Sequence, residues 1–489
     1  MKDTEVFQEQ YRPQYHFSPK EKWMNDPNGL VYHKGTYHLF YQYYPEDIVW
    51  GPMHWGHAIS KDMVNWEHRS IALYPDEHGY IFSGSAVVDH LNSSGFGTLE
   101  NPPLVAMFTY HDPKKEKEGA IDFQTQGIAY SRDNGETWTQ YDGNPVLGNN
   151  GIKDFRDPKV FWHEATERWV MVLVAGDHAK FYQSSNLKEW EYVSSFGHQV
   201  GAHGGVWECP DLFPLKIEGS NEEKWVLLIS INPGAPNGGS GTQYFVGNFD
   251  GATFTSAQED IRWIDWGTDN YAGVTYNNAP HGNRIFIGWM SNWNYARDTP
   301  TERWRSAMTL PRELSLKKGQ TGDYNLINYP LKSVEKLLEP KVAKALKIAG
   351  KEALELKMDS SGLLEFSGIT EGKTYTFALK NDLGETLRFG IDGHRFFLDR
   401  RKSGQTNFQD SFANGIQEMH MRDLPEGPYE LRFFLDRSSI EIFINKGQYV
   451  MTAQIFPNEN YESLHLTNEL DTPLEWEDFG WKKVNTIWG

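Results

Sequence analysis

A chain of 489 residues exceeds one ordinary hydrophobic core, so two domains, or a large one with a smaller companion, are expected. Hydrophobic residues make up 39% and charged residues 23% of it, and no apolar run approaches the roughly 18 residues of a membrane span. The net charge of −19, from 66 acidic and 47 basic side chains, repels nucleic acid and anionic lipid, which argues against both as partners.

The first ten residues, MKDTEVFQEQ, lack the apolar core of a signal peptide, so an export signal is expected to be absent or already removed. Cys209 is the single cysteine, so no intrachain disulfide can form and the redox compartment stays open. Aromatic residues reach 14%, with 18 Trp and 24 Tyr. That content suits a protein that stacks rings against sugar faces, and equally a large β core.

Strand-length β-branched and aromatic runs follow one another: TYHLFYQYY from Thr36, SGSAVVD from Ser83, LVAMFTY from Leu104, RWVMVLVAG from Arg168, KWVLLISI from Lys224 and RIFIGWM from Arg284. Turn residues bound each. Helical periodicity is scarce, its best stretch being Leu331 to Lys347, which carries Pro340 in its middle. An all-β protein is therefore expected. A weak repeat connects these runs: Ser60 and Asp62 lead to Trp66, Ser131 and Asp133 to Trp138, Ser184 and Asn186 to Trp190, Asn248 and Asp250 to Phe254. A polar turn before an aromatic, recurring every 50 to 70 residues, predicts radial repetition with at least four blades. After about residue 335 Trp vanishes until the C-terminus and the strands become hairpin-like. A second domain is expected there, a β-sandwich in which Phe396–Arg400 and Phe433–Arg437 repeat the same FFLDR corner. The stretch between reads as a linker.

Three segments set an acid among loop-forming neighbours. Asp26 lies in WMNDPNG, which is also an ideal tight turn. Asp157 lies in FRDP, where Arg156 is expected to keep it ionised, although a surface ion pair would look the same. Glu208 lies in WECP, where Trp207 and Cys209 are expected to desolvate it and raise its pKa toward that of a general acid. Glycoside cleavage needs an ionised carboxylate and a protonated one across the scissile bond, and the three segments together can supply them.

These segments resemble the signature motifs of glycoside hydrolase family 32, the invertases, levanases and inulinases. The likeness extends through YHLFYQY, WGHAIS, IFSGSAV, GSGTQYFVG, DNYAG, IGWMSNW and WRSAMTLPREL to FLDRSSIEIFINKGQYVMTAQIFP near the end. It implies a five-bladed β-propeller over residues 1–330, a linker over 331–348 and a β-sandwich over 349–489. It also implies a retaining β-fructosidase acting on fructan or sucrose, with Asp26 as nucleophile, Glu208 as acid/base and Asp157 as transition-state stabiliser beside Arg156. Substrate contacts are implied at Asn25, Gln42, Trp50, Phe82, Ser83 and Trp289, with Trp50 and Trp289 as walls and Asp269 at the site edge. Exo-action is expected from the likeness of WGPMHWGHAIS and IFSGSAV to the levanase and inulinase branch.

No cofactor and no metal are expected: His54 and His57 lack a matching carboxylate motif, and Cys209, between Glu208 and Pro210, lacks the basic partner of a thiolate and is read as tuning its neighbour. An extracellular or periplasmic address is expected, with a cytoplasmic one open. Two other readings remain: a non-catalytic carbohydrate-binding propeller, and a fructosyltransferase using the same covalent intermediate.

Overall fold

The computed structural model describes residues 6–488 other than 320, 321, 341, 359 and 360. The apolar runs form the middle strands of antiparallel sheets. In Arg168–Ala175 every residue after Arg168 is buried. Such a strand is covered on both faces by neighbouring sheets, which is why its sequence is continuously apolar instead of alternating.

Five sheets form a ring of blades. Their innermost strands are Lys22–His33, Tyr80–Val88, Phe155–His163, Val206–Lys216 and Tyr271–Thr275. Each touches the next, and the fifth touches the first. The ring is fastened where Lys22 and Trp23 pair in parallel with Trp304 and Arg305, and where Val31 bridges to Asn277. Asn277 also donates to the carbonyls of Ala86 and Val160, at 2.8 and 3.0 Å, tying the second and third blades to the fifth.

The repeated polar turns join the third to the fourth strand in four blades. Ser60 Oγ accepts from the amides of Asp62 and Met63, and Ser184 Oγ from those of Asn186 and Leu187. Asp250 Oδ1 does the same for Ala252 and Thr253. Small side chains with an oxygen cap these turns by folding back on the backbone. The fifth blade turns differently, through Gly319 and Asp323, so the repeat gives four blades where the fold has five.

The C-terminal part is a sandwich of two six-stranded sheets, with Phe366, Phe377, Phe389, Phe433 and Trp476 between them. The helical stretch expected over 331–347 is only a 3₁₀ turn, Lys332–Leu337. Val342–Ile348, expected within the linker, is an edge strand of the sandwich paired with Leu474–Lys483. Pro340 separates the two, since it can neither continue a helix nor donate to a ladder. The two FFLDR corners lie on facing sheets. Phe396 and Phe433 enter the core, whereas Arg400 and Asp436 reach the propeller: Asp436 accepts from the Gln14 amide at 2.8 Å and meets His16 Nδ1 at 2.8 Å. His16 Nε2 meets Glu441 at 2.8 Å, and Arg312 bridges Glu441 to Asp265.

Candidate active site

Every innermost strand is interrupted at the same level, near its N-terminal end, by a bulge that sets two residues opposite one: Asn25 and Asp26, Phe82 and Ser83, Asp157 and Pro158, Cys209 and Pro210, Ala272 and Gly273. A bulge breaks the ladder and re-aims side chains, and it is where proline is tolerated inside a sheet. Asp157, Cys209 and Ala272 take left-handed φ values of 62°, 45° and 53°. For residues with a Cβ this stores about 1–3 kcal/mol each, the kind of strain that gathers at functional sites. The NDP, RDP and ECP segments therefore sit at the bulges of the first, third and fourth blades, and their acids point into one mouth of the central channel.

That mouth holds a pocket of about 420 Å³ lined by Asp26, Asp157, Glu208 and Arg156. Ser83 Oγ donates to Asp26 Oδ2 at 2.6 Å, and Asn25 Nδ2 donates to Oδ1 at 3.0 Å. Asn25 is itself oriented by Trp23 Nε1 at 2.7 Å. Asp157 Oδ2 accepts from the Cys209 amide at 3.0 Å. Cys209 Sγ lies 3.5 Å from Asp26 and 3.7 Å from Asp157, closing the floor between them. Glu208 accepts from Arg156 at 2.9 Å through one oxygen and from the Tyr271 hydroxyl through the other. Below the floor, Lys159 pairs with Asp211 at 3.2 Å and donates to the Thr275 carbonyl at 2.6 Å, plugging the channel.

Three local expectations are corrected. Arg156 does not hold Asp157 ionised: its ends grip Asp154 at 2.7 Å and Glu208, leaving Asp157 3.9 Å from Nε. Burial, with repulsion from Glu208 and Asp26, outweighs the guanidinium and pushes Asp157 up to about 7. Glu208 is not wedged between Trp207 and Cys209, because successive side chains of a strand point to opposite faces. Trp207 is buried inside the blade and Glu208 stands in the mouth, its side chain 20% exposed. Cys209 contacts Asp26 and Asp157 instead of the neighbouring Glu208. Asp26 is also raised, first by burial and then by Glu208, against the donors on its oxygens.

Of the expected substrate contacts, Asn25, Gln42, Trp50, Phe82 and Ser83 line the pocket. Gln42 is held by Asn28 Oδ1 at 2.8 Å and the Ile81 carbonyl at 3.0 Å. Trp50 stands edge-on to Phe82, which stacks on His111 at 4.3 Å. Trp289 is not a wall: it is fully buried, packed between Trp23 and Trp293. Trp293 takes that place in the lining, with Arg297. Strand Arg284–Met290 aims Trp289 inward, whereas Trp293 lies on the loop beyond it. Asp269 is not at the site edge either. It is fully buried at the junction with the sandwich, accepting from Arg400 at 2.7 Å, the Tyr295 hydroxyl at 2.7 Å and the Gln454 amide at 2.9 Å. Tyr271, two residues on, is the member of DNYAG that reaches the mouth. It stands immediately before its bulge, as Glu208 does in the preceding blade, a signal that aligning the five bulges would have supplied.

Comparison with known proteins agrees with this geometry. Residues 16–330 match the glycosyl hydrolases family 32 N-terminal domain, and residues 333–479 match the C-terminal domain of that family. A levanase of Bacillus subtilis is 48% identical over 95% of this chain and 69% of its own length. An extracellular exo-inulinase of Aspergillus niger is 41% identical over 93% of this chain and 91% of its own. Among solved structures, exo-inulinase from Aspergillus awamori superposes with a TM-score of 0.89 at 38% identity, covering 99% of this chain and 100% of that one. Fructofuranosidase from Schwanniomyces occidentalis complexed with fructose superposes with a TM-score of 0.88 at 34% identity, covering 98% and 99%. The chain belongs to glycosyl hydrolase family 32, a β-propeller followed by a β-sandwich.

Proposed function

We propose that the protein is a retaining exo-β-fructosidase that removes terminal fructosyl units from levan, inulin and sucrose. The observation that carries this is the convergence of Asp26, Asp157 and Glu208 on a pocket whose floor is closed by Cys209 and, beneath it, by the Lys159–Asp211 pair. A blind pocket of about 420 Å³ suits the end of a chain better than its middle. The relatives named levanase and exo-inulinase, and the neighbour solved with fructose, support the same substrate class.

Asp26, held by Ser83 and Asn25, attacks the anomeric C2 while Glu208 gives its proton to the departing oxygen. The C2–O bond breaks, and a fructosyl ester on Asp26 forms. Glu208, now a base, takes a proton from water, which attacks C2 and releases fructose and the Asp26 carboxylate. Asp157 accepts hydrogen bonds from the ring hydroxyls and, with the other carboxylates, favours the oxocarbenium-like transition state. In the free site burial first, and then the charge of the neighbouring carboxylates, raises Asp26 and Asp157.

Residues 1–330 are the proposed catalytic unit, the sandwich begins with strand Val342–Ile348, and the extracellular relatives favour a secreted enzyme. No helix among the described residues is long and apolar enough to cross a membrane. Product analysis early in the digestion of levan and inulin is the test. Free fructose from the first minutes is expected, and a ladder of oligosaccharides without fructose would overturn exo-action. Oligosaccharides longer than the donor at high sucrose would mean transfer instead of hydrolysis.

A further inference from the structure

The innermost strands run from the catalytic mouth to the other end of the channel. There their C-terminal ends, at Val88, His163, Pro214 and Asn277, surround a second cavity of about 930 Å³, larger than the catalytic one. Asp157 and His163 lie six residues apart on one strand, which sets the two mouths about 20 Å apart. The Lys159–Asp211 plug separates them.

The second cavity has the features of a ligand site. Trp162 and Trp225 are half-buried and line it. Trp225 is fixed by Phe161 and His163, each at 5.7 Å, and by Phe249 at 5.1 Å; Trp162 rests on Trp169 at 5.2 Å. Neighbouring indoles spend their N–H on the protein: Trp169 donates to Ser93 at 2.8 Å and Trp190 to the Leu187 carbonyl at 3.1 Å. Trp162 and Trp225 have no acceptor among the described residues. Arg284 also lines the cavity, stacked over Phe213 at 5.4 Å; its Nε is buried without a hydrogen-bond partner, and no ion pair engages it among the described residues. Acceptors line the same cavity, the exposed carboxylates of Glu164, Glu167, Glu223 and Asp250, the last with Oδ1 already engaged by the Ala252 and Thr253 amides.

This chemistry selects its ligand. An anion would meet four carboxylates against one guanidinium, and a hydrocarbon would leave the indole and guanidinium donors unpaired. A neutral polyol satisfies both sets: its hydroxyls donate to the carboxylates and accept from indole and guanidinium, while its C–H faces cover the rings. We propose that the lower mouth is a second saccharide-binding site, holding an inner stretch of a polymer whose end enters the catalytic mouth. That the polymer is a fructan rests on the function proposed above. Because the channel between the mouths is plugged, only a chain long enough to pass around the blades engages both.

The test uses Trp225→Ala and Arg284→Gln, the second leaving the aromatic packing intact. Both are expected to retain wild-type kcat/KM on sucrose while KM for long-chain inulin and levan rises at least about threefold. Binding is read without turnover in Asp26→Asn by calorimetry with nystose. Two sites are expected, falling to one when Arg284→Gln is added. Unchanged polymer KM in both variants, equal losses on sucrose and polymer, or a single nystose site in Asp26→Asn would each overturn the proposal. A wild-type enzyme that cleaves no fructan would instead sink the hydrolase reading, and the calorimetric count is independent of that result.

Discussion

Tyr295→Phe tests whether the sandwich shapes the catalytic pocket. Tyr295 sits two residues from Trp293 and two from Arg297, both in the pocket lining, but its own side chain points away, into the junction. There its hydroxyl donates to Asp269 at 2.7 Å and accepts from Arg400 at 2.9 Å. Arg400 is held in turn by the carbonyls of Phe412 and Gln454, at 2.7 and 3.0 Å. The sandwich thus grips the loop that carries one wall of the pocket. Deleting the hydroxyl removes two charge-assisted hydrogen bonds but orphans neither charge, since Arg400 and Asp269 keep each other at 2.7 Å. The expected loss of stability is about 2–3 kcal/mol, from bonds of about 1.5–3 kcal/mol offset by relaxation. Loosening the wall is expected to raise KM for sucrose, and the inhibition constant for fructose, by about three- to tenfold, or about 0.7–1.4 kcal/mol. The change in kcat should stay within about twofold, because the carboxylates are not displaced. Urea unfolding and steady-state kinetics with fructose as inhibitor read the two effects separately. A variant that loses stability yet keeps both constants would refute the reasoning and reduce the clamp to a fastening between domains.

His16 gives a pH signature. Burial alone would lower its pKa, but Asp436 and Glu441 on its two nitrogens push it up to about 9. Against about 6.5 in the unfolded chain, protonation stabilises the fold by about 3 kcal/mol. That contribution is complete below pH 6.5 and disappears as pH rises through 9. Unfolding midpoints should therefore fall over this window in wild type and much less in His16→Gln; parallel curves would disprove it. Asp26→Asn should reduce turnover to background on every substrate. Glu208→Gln should lose about 10²–10⁴-fold on sucrose but far less on an activated aryl fructoside whose leaving group needs no proton. Equal losses on the two substrates would remove Glu208 from the acid role. Because Glu208 is, after burial, the next cause of the raised Asp26 pKa, Glu208→Gln should also move the acid limb of kcat/KM on the aryl fructoside to lower pH. An unmoved or rising limb would contradict the repulsion between them.

The strands were legible in the sequence, because β-branched and aromatic runs are local facts, and so was radial repetition, through the polar turns that follow the third strand of four blades. The sequence also marked Asp26, Asp157 and Glu208, through the resemblance of WMNDPNG, FRDP and WECP to the family motifs, whereas locally the first two read as a tight turn and an ion pair. Tertiary structure decided the rest. Trp289 and Trp293 are both aromatic and four residues apart, and only the direction of a strand against the free course of a loop tells the buried one from the one in the pocket. Asp269 looked like a site acid until its partner proved to be Arg400, 131 residues away in the other domain. Asp157 reads as ionised beside Arg156, yet the guanidinium is spent on Asp154 and Glu208 and burial sets the sign. Charge balance and side-chain direction depend on groups brought together from distant blades, so no window of sequence contains them.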